Sequence, residues 1–372
     1  MPEKWILMQY QSLPLRAKAL MSQNRIREWY QHWHGDVCVS FSGGKDSTVL
    51  AHLVHDLYPD VPMVFANTGL EYPEIQEFAR RMGAEFVRPK MSFSEVISTY
   101  GYPIISKETA EAIYYARRIR NGNEGSPDAA WHNWRRNALA GTGAFADGRS
   151  RFGKKKWLAL CRDGLFKISH RCCDVIKKAP LKEYQRTHKL YPYLGTLTEE
   201  SKLREQAWIR HGCNTFEGNN QTSQPMSFWK EQDVLRYIYD EGLEIASAYG
   251  DIVSEDEDEF PYSPLPELAE KLKCTGCQRT GCVFCGFGCH LEKGETRFQR
   301  LAKTHPKQYE YCMGGGQWVD NPEYDPVAPK MDGEWVNWNP KRIWVPSKNG
   351  LGMRHVFDEC NQIYGKDFIR YE

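Results

Sequence analysis

The sequence predicts an α/β fold, a parallel sheet wound with helices, followed by a cysteine-rich C-terminal region. Three observations predict it. Short apolar runs at residues 37–41, 61–66 and 85–88 alternate with stretches of helical periodicity. The first run leads without a break into Ser42-Gly43-Gly44-Lys45-Asp46-Ser47, a glycine-rich turn at the start of the next helical stretch. Beyond residue 250, five of the twelve cysteines fall between Cys274 and Cys289.

In chain order, residues 15–34 place apolar and charged side chains at helical spacing, so a helix precedes the first strand. That strand, 37–41, delivers the chain to the glycine-rich turn. Paired glycines let the backbone approach an anion, and the following helix directs its free N–H groups and positive dipole end to the same place. Lys45 adds a charge, and Ser42 and Ser47 add hydroxyl donors. The spacing is not Gly-x-x-x-x-Gly-Lys-Ser/Thr, so a different class of nucleotide loop is implied. Residues 61–66 form a second buried strand ending at Asn67-Thr68-Gly69-Leu70-Glu71-Tyr72, where such sheets place ligands. A helix over 72–82 and a strand over 85–88 complete β-α-β-α-β, with right-handed crossovers.

From 117 to 157 the pattern degrades: ten Arg or Lys stand against three acids, with Trp131, Trp134 and Trp157 interleaved. The stretch is either a solvated basic loop or a clamp over a polyanion, including a nucleic acid. Order returns at 191–208, a strand end running through Gly195-Thr196-Leu197-Thr198-Glu199-Glu200-Ser201 into a helix. Ser227 is the expected N-cap of a helix reaching about Glu241. The acidic run 255–259 reads as an exposed loop, and the Trp- and Pro-rich residues from about 314 show no usable period. The expected organisation is a helical segment (1–34), a nucleotide-binding domain (35–250, with the basic insert 117–157), a cysteine-rich region (251–313) and an extension (314–372).

Bulk properties narrow the classes. A chain of 372 residues has room for about two domains. Lys plus Arg (49) nearly equals Asp plus Glu (48), so no global field demands a nucleic acid or a membrane. With no apolar run of about eighteen residues, a membrane partner is not expected, and a cytoplasmic location is. In a large chain with a nucleotide loop, the cysteines point to metal or redox chemistry rather than to disulfides.

Cys172 and Cys173 are adjacent, an arrangement that offers two thiolates to one compact inorganic centre. Cys274-Thr275-Gly276-Cys277, Cys282-Val283-Phe284-Cys285 and Cys289-His290 supply two Cys-x-x-Cys pairs and a further Cys-His. That stretch alone suits structural zinc; with the Cys-Cys pair, an iron–sulfur cluster is the stronger reading.

The Ser42–Ser47 loop resembles that of the PP-loop ATP pyrophosphatase superfamily (adenine nucleotide α-hydrolase-like fold). The loop, Asn67-Thr68-Gly69, the run from Cys172-Cys173 through Lys177 to Pro180-Leu181, Gly195 with Glu199-Glu200-Ser201, and Trp229 with Asp233-Val234 occur in the order found in adenylylsulfate and phosphoadenylylsulfate reductases. The resemblance spans about residues 35–290. It implies thiol-dependent reduction of a sulfonucleotide to sulfite, with thioredoxin or another thiol as partner. It further implies a [4Fe-4S] cluster on Cys172, Cys173, Cys282 and Cys285, with zinc as the alternative; Cys274 and Cys277 are then either the true second pair or separate structural residues. Phosphate oxygens of ATP or a (phospho)adenylylsulfate would rest on Ser42, Gly43, Gly44, Lys45 and Ser47, with Asp46 in the same nucleotide-binding set, while Phe41 and Asn67, Thr68 and Gly69 flank the adenine or ribose. Lys45, Asp46 and Cys289 are then the catalytic candidates, Cys289 standing in for a family cysteine otherwise found near the C-terminus.

Three departures from that pattern leave other readings open, one of them the basic, Trp-bearing insert at 117–157 and the extension beyond about 314, which have no clear counterpart in a minimal reductase. Leu197 stands where the family carries an arginine, and the chain ends Phe368-Ile369-Arg370-Tyr371-Glu372 without the family's Glu-Cys-Gly-x-His. Relatives that use the same loop to activate and thiolate tRNA or DNA, with Mg²⁺ on Asp46 or Glu71 and a sulfur donor as partner, remain an alternative. A non-catalytic nucleotide-sensing protein is a second.

Overall fold

A computed structural model describes residues 4–118, 129–150, 152–255, 271–327, 331–332 and 335–372. By their internal contacts the residues divide into two units, each assembled from two stretches of chain: Met1–Lys90 with Lys177–Gly281, and Met91–Ile176 with Cys282–Glu372. The division does not follow the boundaries at 34, 250 and 313 expected from the sequence.

The first unit is built on a six-stranded sheet. Its strands are β1 (Val37–Phe41), β2 (Met63–Ala66), β3 (Glu85–Val87), β4 (Tyr191–Leu194), β5 (Asn214–Thr215) and β6 (Thr222–Ser223). Their spatial order is β3-β2-β1-β4-β6-β5. All pairings are parallel except the edge pair β5–β6. β1, flanked by β2 and β4, is apolar and buried along almost its whole length, as a strand covered on both faces must be. Chain connections leave β1 in opposite directions, which opens a crevice at its carboxyl end. Helices Leu15–His32, Lys45–His55, Pro73–Arg81 and Ala179–His188 accompany the sheet, and Trp29, Phe65, Phe78, Tyr193 and Trp229 lie fully buried in this unit.

The helix expected from Ser227 begins later, at Glu231, and runs to Glu241. Its N-cap is Lys230, whose N–H donates to Asp233 Oδ2 at 2.7 Å. Ser227 instead places its hydroxyl 3.4 Å from the buried Cys213 thiol. Asp233 also takes the ammonium of Lys18, 2.6 Å away and buried, so the acid three residues into the helix, not a serine before it, decides where the helix starts.

The second unit is largely helical. The segment expected to lack order contains the helix Ala129–Ala140, packed on Lys107–Ala116. Beyond residue 314, Gln317–Asp320 pairs antiparallel with Arg342–Val345, and Met353–Tyr364 is a helix burying Val356, Phe357 and Cys360. Gly286–Phe287 pairs with Ile104–Ile105. Ile105 there has φ +68°, rare for a β-branched residue, and its carbonyl accepts the Gly288 N–H at 2.7 Å. No helix among the described residues is long and apolar enough to cross a membrane.

Candidate functional site

The loop after β1 is ordered by its own serines. Gly43 adopts φ +68°, and a Cβ there would sit 2.7 Å from Ile75 Cγ2, so only glycine completes the turn. Ser42 N–H donates to Ser47 Oγ (3.1 Å), the two hydroxyls lie 3.0 Å apart, and Gly44 N–H reaches Ser42 Oγ at 3.3 Å. Ser47 and Thr48 hydroxyls both donate to the Gly44 carbonyl. Gly195, after β4, passes so close that a Cβ would lie 3.0 Å from the Asp46 carbonyl. The helix Lys45–His55 is thereby fixed with its N-terminus at the mouth of a cavity of about 230 Å³.

Ser42, Gly44, Lys45 and Asp46 line this cavity, and opposite them stand Leu197, Glu199, Glu200, Glu231, Tyr249 and the segment from Gln278 to Gly281. Lys45 is 5 % exposed; its ammonium lies 3.2 Å from Glu231 Oε1, hydrogen-bonds the Cys274 thiol and faces the Tyr249 ring at 5.5 Å. Burial pushes the Asp46 carboxyl up, with Lys45, Arg279 and Arg204 pulling it back. Arg204 ion-pairs with Glu200, and Glu199 accepts the N–H of Glu231.

The structure brings together only part of the expected set. Gly43 and Ser47 shape the loop from behind. Phe41 is 2 % exposed and its ring meets Phe78, so it belongs to the core rather than to the cavity wall. Asn67, Thr68 and Gly69 form their own turn at the end of β2: Gly69 N–H reaches Asn67 Oδ1, and Thr68 binds Glu71 through both its N–H and its hydroxyl. Glu71 is 6 % exposed, held by Thr68 and 3.9 Å from Lys177, which makes it a brace of that turn rather than a free metal ligand. Glu231, Tyr249 and Arg279 were not legible as parts of the site, because they arrive from sequence positions more than 180 residues beyond the loop, and Glu199 and Glu200 were read only as part of a motif. The strand Leu272–Cys274, which pairs antiparallel with Ile252–Ser254, had only its cysteine as a signal.

The other cysteine candidates belong to the second unit. Cys172 and Cys173 start a helix whose following stretch, Asp174–Lys178, is a π-helix, and their sulfurs lie 3.9 Å apart. The neighbouring Cys173 thiol, then burial, then Cys285 and Cys282 raise the pKa of Cys172 far above a normal thiol's. Cys282 and Cys285 share a turn, Cys285 N–H to Cys282 O at 3.0 Å, and Arg297 donates to the Cys285 carbonyl. This all-sulfur, crowded donor set fits a group that stabilises several thiolates at once. Among the described residues no group of three or more His, Cys, Asp or Glu side chains is placed to hold a metal ion. Cys289 is 2 % exposed, donates to Gly286 O at 3.0 Å and is pushed up to about 12 by burial. As placed it is a protonated core thiol, not an activated nucleophile.

In the basic insert, expected to be either a solvated loop or a polyanion clamp, several cations are instead engaged within the protein. Arg117 is buried, its guanidinium donating to the carbonyls of Leu160, Cys161, Gly164 and Phe166 and stacking on Trp338. Arg135 pairs with Glu111 at 2.9 Å, and Lys154 with Glu108. Arg120 and the side chain of Trp131 lie outside the described residues.

Comparison with known proteins adds the following. The family model described as phosphoadenosine phosphosulfate reductase domain matches residues 36–113 and 143–286, more than half of the chain. An uncharacterized protein from Methanocaldococcus jannaschii is 22 % identical over 308 residues, 82 % of this chain and 52 % of that protein. The chain thus spans about half the length of that relative. An adenosine 5'-phosphosulfate reductase from Staphylococcus haemolyticus is 28 % identical over 185 residues, 46 % of this chain and 74 % of its own. A phosphoadenosine 5'-phosphosulfate reductase from Xylella fastidiosa is 32 % identical over 69 residues, 18 % of this chain and 29 % of its own. Among solved structures, the phosphate complex of phosphoadenylyl-sulfate reductase from Candida auris has a TM-score of 0.33 at 11 % identity, covering 61 % of this chain and 82 % of its own.

Proposed function

Since the chain belongs to the phosphoadenosine phosphosulfate reductase domain family, we propose that it is an adenine-nucleotide-binding enzyme that reduces a sulfonucleotide to sulfite at the expense of a thiol. The observation that carries this reading is the cavity built on the loop after β1, with the N-terminus of the helix Lys45–His55 and Lys45 at its mouth. Gly44 and the first helical N–H groups hold phosphate oxygens. Glu231 holds the Lys45 ammonium in place, and an arriving phosphate displaces that carboxylate as the lysine's partner.

In this reaction a thiolate attacks the sulfate sulfur, the S–O bond breaks with its electron pair leaving on the adenylate, and a second thiol displaces sulfite as a disulfide forms. Cys289, protonated and buried, does not offer the thiolate. The reading therefore assigns both thiols to an external dithiol of the thioredoxin kind. Cys172, Cys173, Cys282 and Cys285 would hold an iron–sulfur cluster, which when bound supplies a polarising, redox-capable centre.

A second reading is favoured by the carboxylates: Asp46, Glu199, Glu200 and Glu231 surround the cavity and Leu197 replaces a cation, which suits ATP arriving with Mg²⁺ and cleaved to pyrophosphate. Anaerobic protein is to be given adenylyl sulfate with a dithiol, and separately Mg·ATP. Sulfite release supports reduction; pyrophosphate release without sulfite replaces it with ATP activation. Binding with neither product leaves a nucleotide sensor.

A further inference from the structure

The charges around the cavity are nearly all engaged. Glu231 is matched by Lys45, Glu200 by Arg204, and Glu199 by the Glu231 N–H. Lys45 itself is surrounded by a carboxylate, a thiol and an aromatic face. Arg279 differs from these. Its side chain is 69 % exposed, and among the described residues its ion-pair contact is with Glu200 at 3.9 Å, close to the limit of such a pair. Glu200 already has Arg204, so the guanidinium of Arg279 is held loosely at the cavity rim.

Its backbone, in contrast, is firmly placed. Gly276 N–H donates to Tyr249 O at 2.8 Å and Cys277 N–H to Ala248 O at 2.9 Å. Gln278 Nε2 donates to Cys274 O at 2.7 Å, and the hydroxyls of Thr280 and Tyr249 meet at 2.5 Å. The same tyrosine faces Lys45. A rigid base thus carries a long, loosely held cation on the wall facing the phosphate loop. A planar guanidinium matches two oxygens of a tetrahedral oxyanion, which an ammonium does not. Any oxyanion extending from the loop toward Glu199 and Glu200 also needs a cation there to offset their repulsion.

We infer that Arg279 grips the outermost oxyanion of the bound nucleotide, the sulfate of an adenylyl sulfate or the terminal phosphate of ATP, and so sets which nucleotides the cavity accepts. The inference rests on the nucleotide reading of this cavity. Arg279 then serves the purpose left unfilled by Leu197, from 82 positions further along the chain.

The test is calorimetric titration of the full chain and of Arg279→Ala and Arg279→Lys with AMP, adenylyl sulfate and ATP, each with and without Mg²⁺. In Arg279→Ala, AMP affinity is expected to stay within about twofold, while affinity for nucleotides with an outer oxyanion falls about tenfold to a hundredfold. Arg279→Lys recovers part of the loss, since charge returns without the two-point grip. A loss confined to adenylyl sulfate identifies the sulfate as the ligand; a loss confined to ATP identifies the phosphate. Unchanged affinities, or an equal loss for AMP, overturn the assignment while leaving the nucleotide site standing. Failure of the unsubstituted protein to bind any of the three overturns the nucleotide reading and this assignment with it. The exposed position of Arg279 predicts an unchanged melting temperature in both variants, which separates lost contact from lost fold.

Discussion

Lys45 has partners before any ligand arrives, and that fact separates what the loop's residue types reveal from what they conceal. The glycines, serines and lysine announce an anion cradle because backbone reach and helix dipole depend on local sequence alone. That Lys45 would be held by Glu231 and Cys274 was illegible, since both come from segments brought in by the fold. Asp46 is similar. Its carboxyl is raised chiefly by burial, so the folded protein binds that proton more tightly than the unfolded chain does. The associated stability is present in acid and is lost as pH climbs from the ordinary carboxylate value, about 3.9, through the raised one. Asp46→Asn is therefore expected to melt higher than the parent at pH 7, with the gain shrinking toward pH 4. Scanning calorimetry at the two pH values checks this; an equal or lower melting temperature at pH 7 would show that Lys45 and the arginines outweigh burial.

Among the elements, the parallel strands were readable because buried strands are uniformly apolar, whereas the edge pair β5–β6 is two residues per strand and carries no pattern. Ser227 misled because a serine before an apolar run is a common cap signal, while the deciding contact was Asp233 with Lys18, far away in sequence. The short helix Leu158–Asp163 shows the same limit more sharply. Arg117 closes its carboxyl end by binding the carbonyls of Leu160, Cys161 and Gly164, where a cation also meets the negative end of the helix dipole. Backbone carbonyls have no sequence signature, so a structural arginine looked like a nucleic-acid contact. Burial lowers its pKa to about 10, so it stays charged at pH 7. Arg117→Met leaves buried carbonyls without their donor and is expected to destabilise the protein by about 1–3 kcal/mol, measured by chemical denaturation, with little change in any salt-dependent binding to RNA or DNA. A stable variant with a flattened salt dependence would restore Arg117 to the surface role.

For the whole molecule, composition was informative about size and charge, but the tail from 314 hid a β-ribbon and a helix, because the ribbon strands are four residues long and separated in sequence. The sequence reads the cysteines as a metal-type set, and that reading is checked by what the purified protein carries. Anaerobically prepared protein is expected to be brown, and Ser at any one of Cys172, Cys173, Cys282 or Cys285 to bleach it, read by absorption and iron content. Colourless protein with stoichiometric zinc would replace the cluster with a structural ion. The interleaving of the two units has a consequence in time. Unit two needs residues 91–176 and also residues from 282 onward, so during synthesis Cys172 and Cys173 leave the ribosome about 110 residues ahead of Cys282. At about 5–20 residues per second, this pair waits roughly 5–22 s without the other half of its set. Were the four cysteines to hold one group, as proposed, the first two thiols would face oxidation before Cys282 and Cys285 are made, and the yield of mature protein would depend on the speed of translation and on the reductant around the nascent chain.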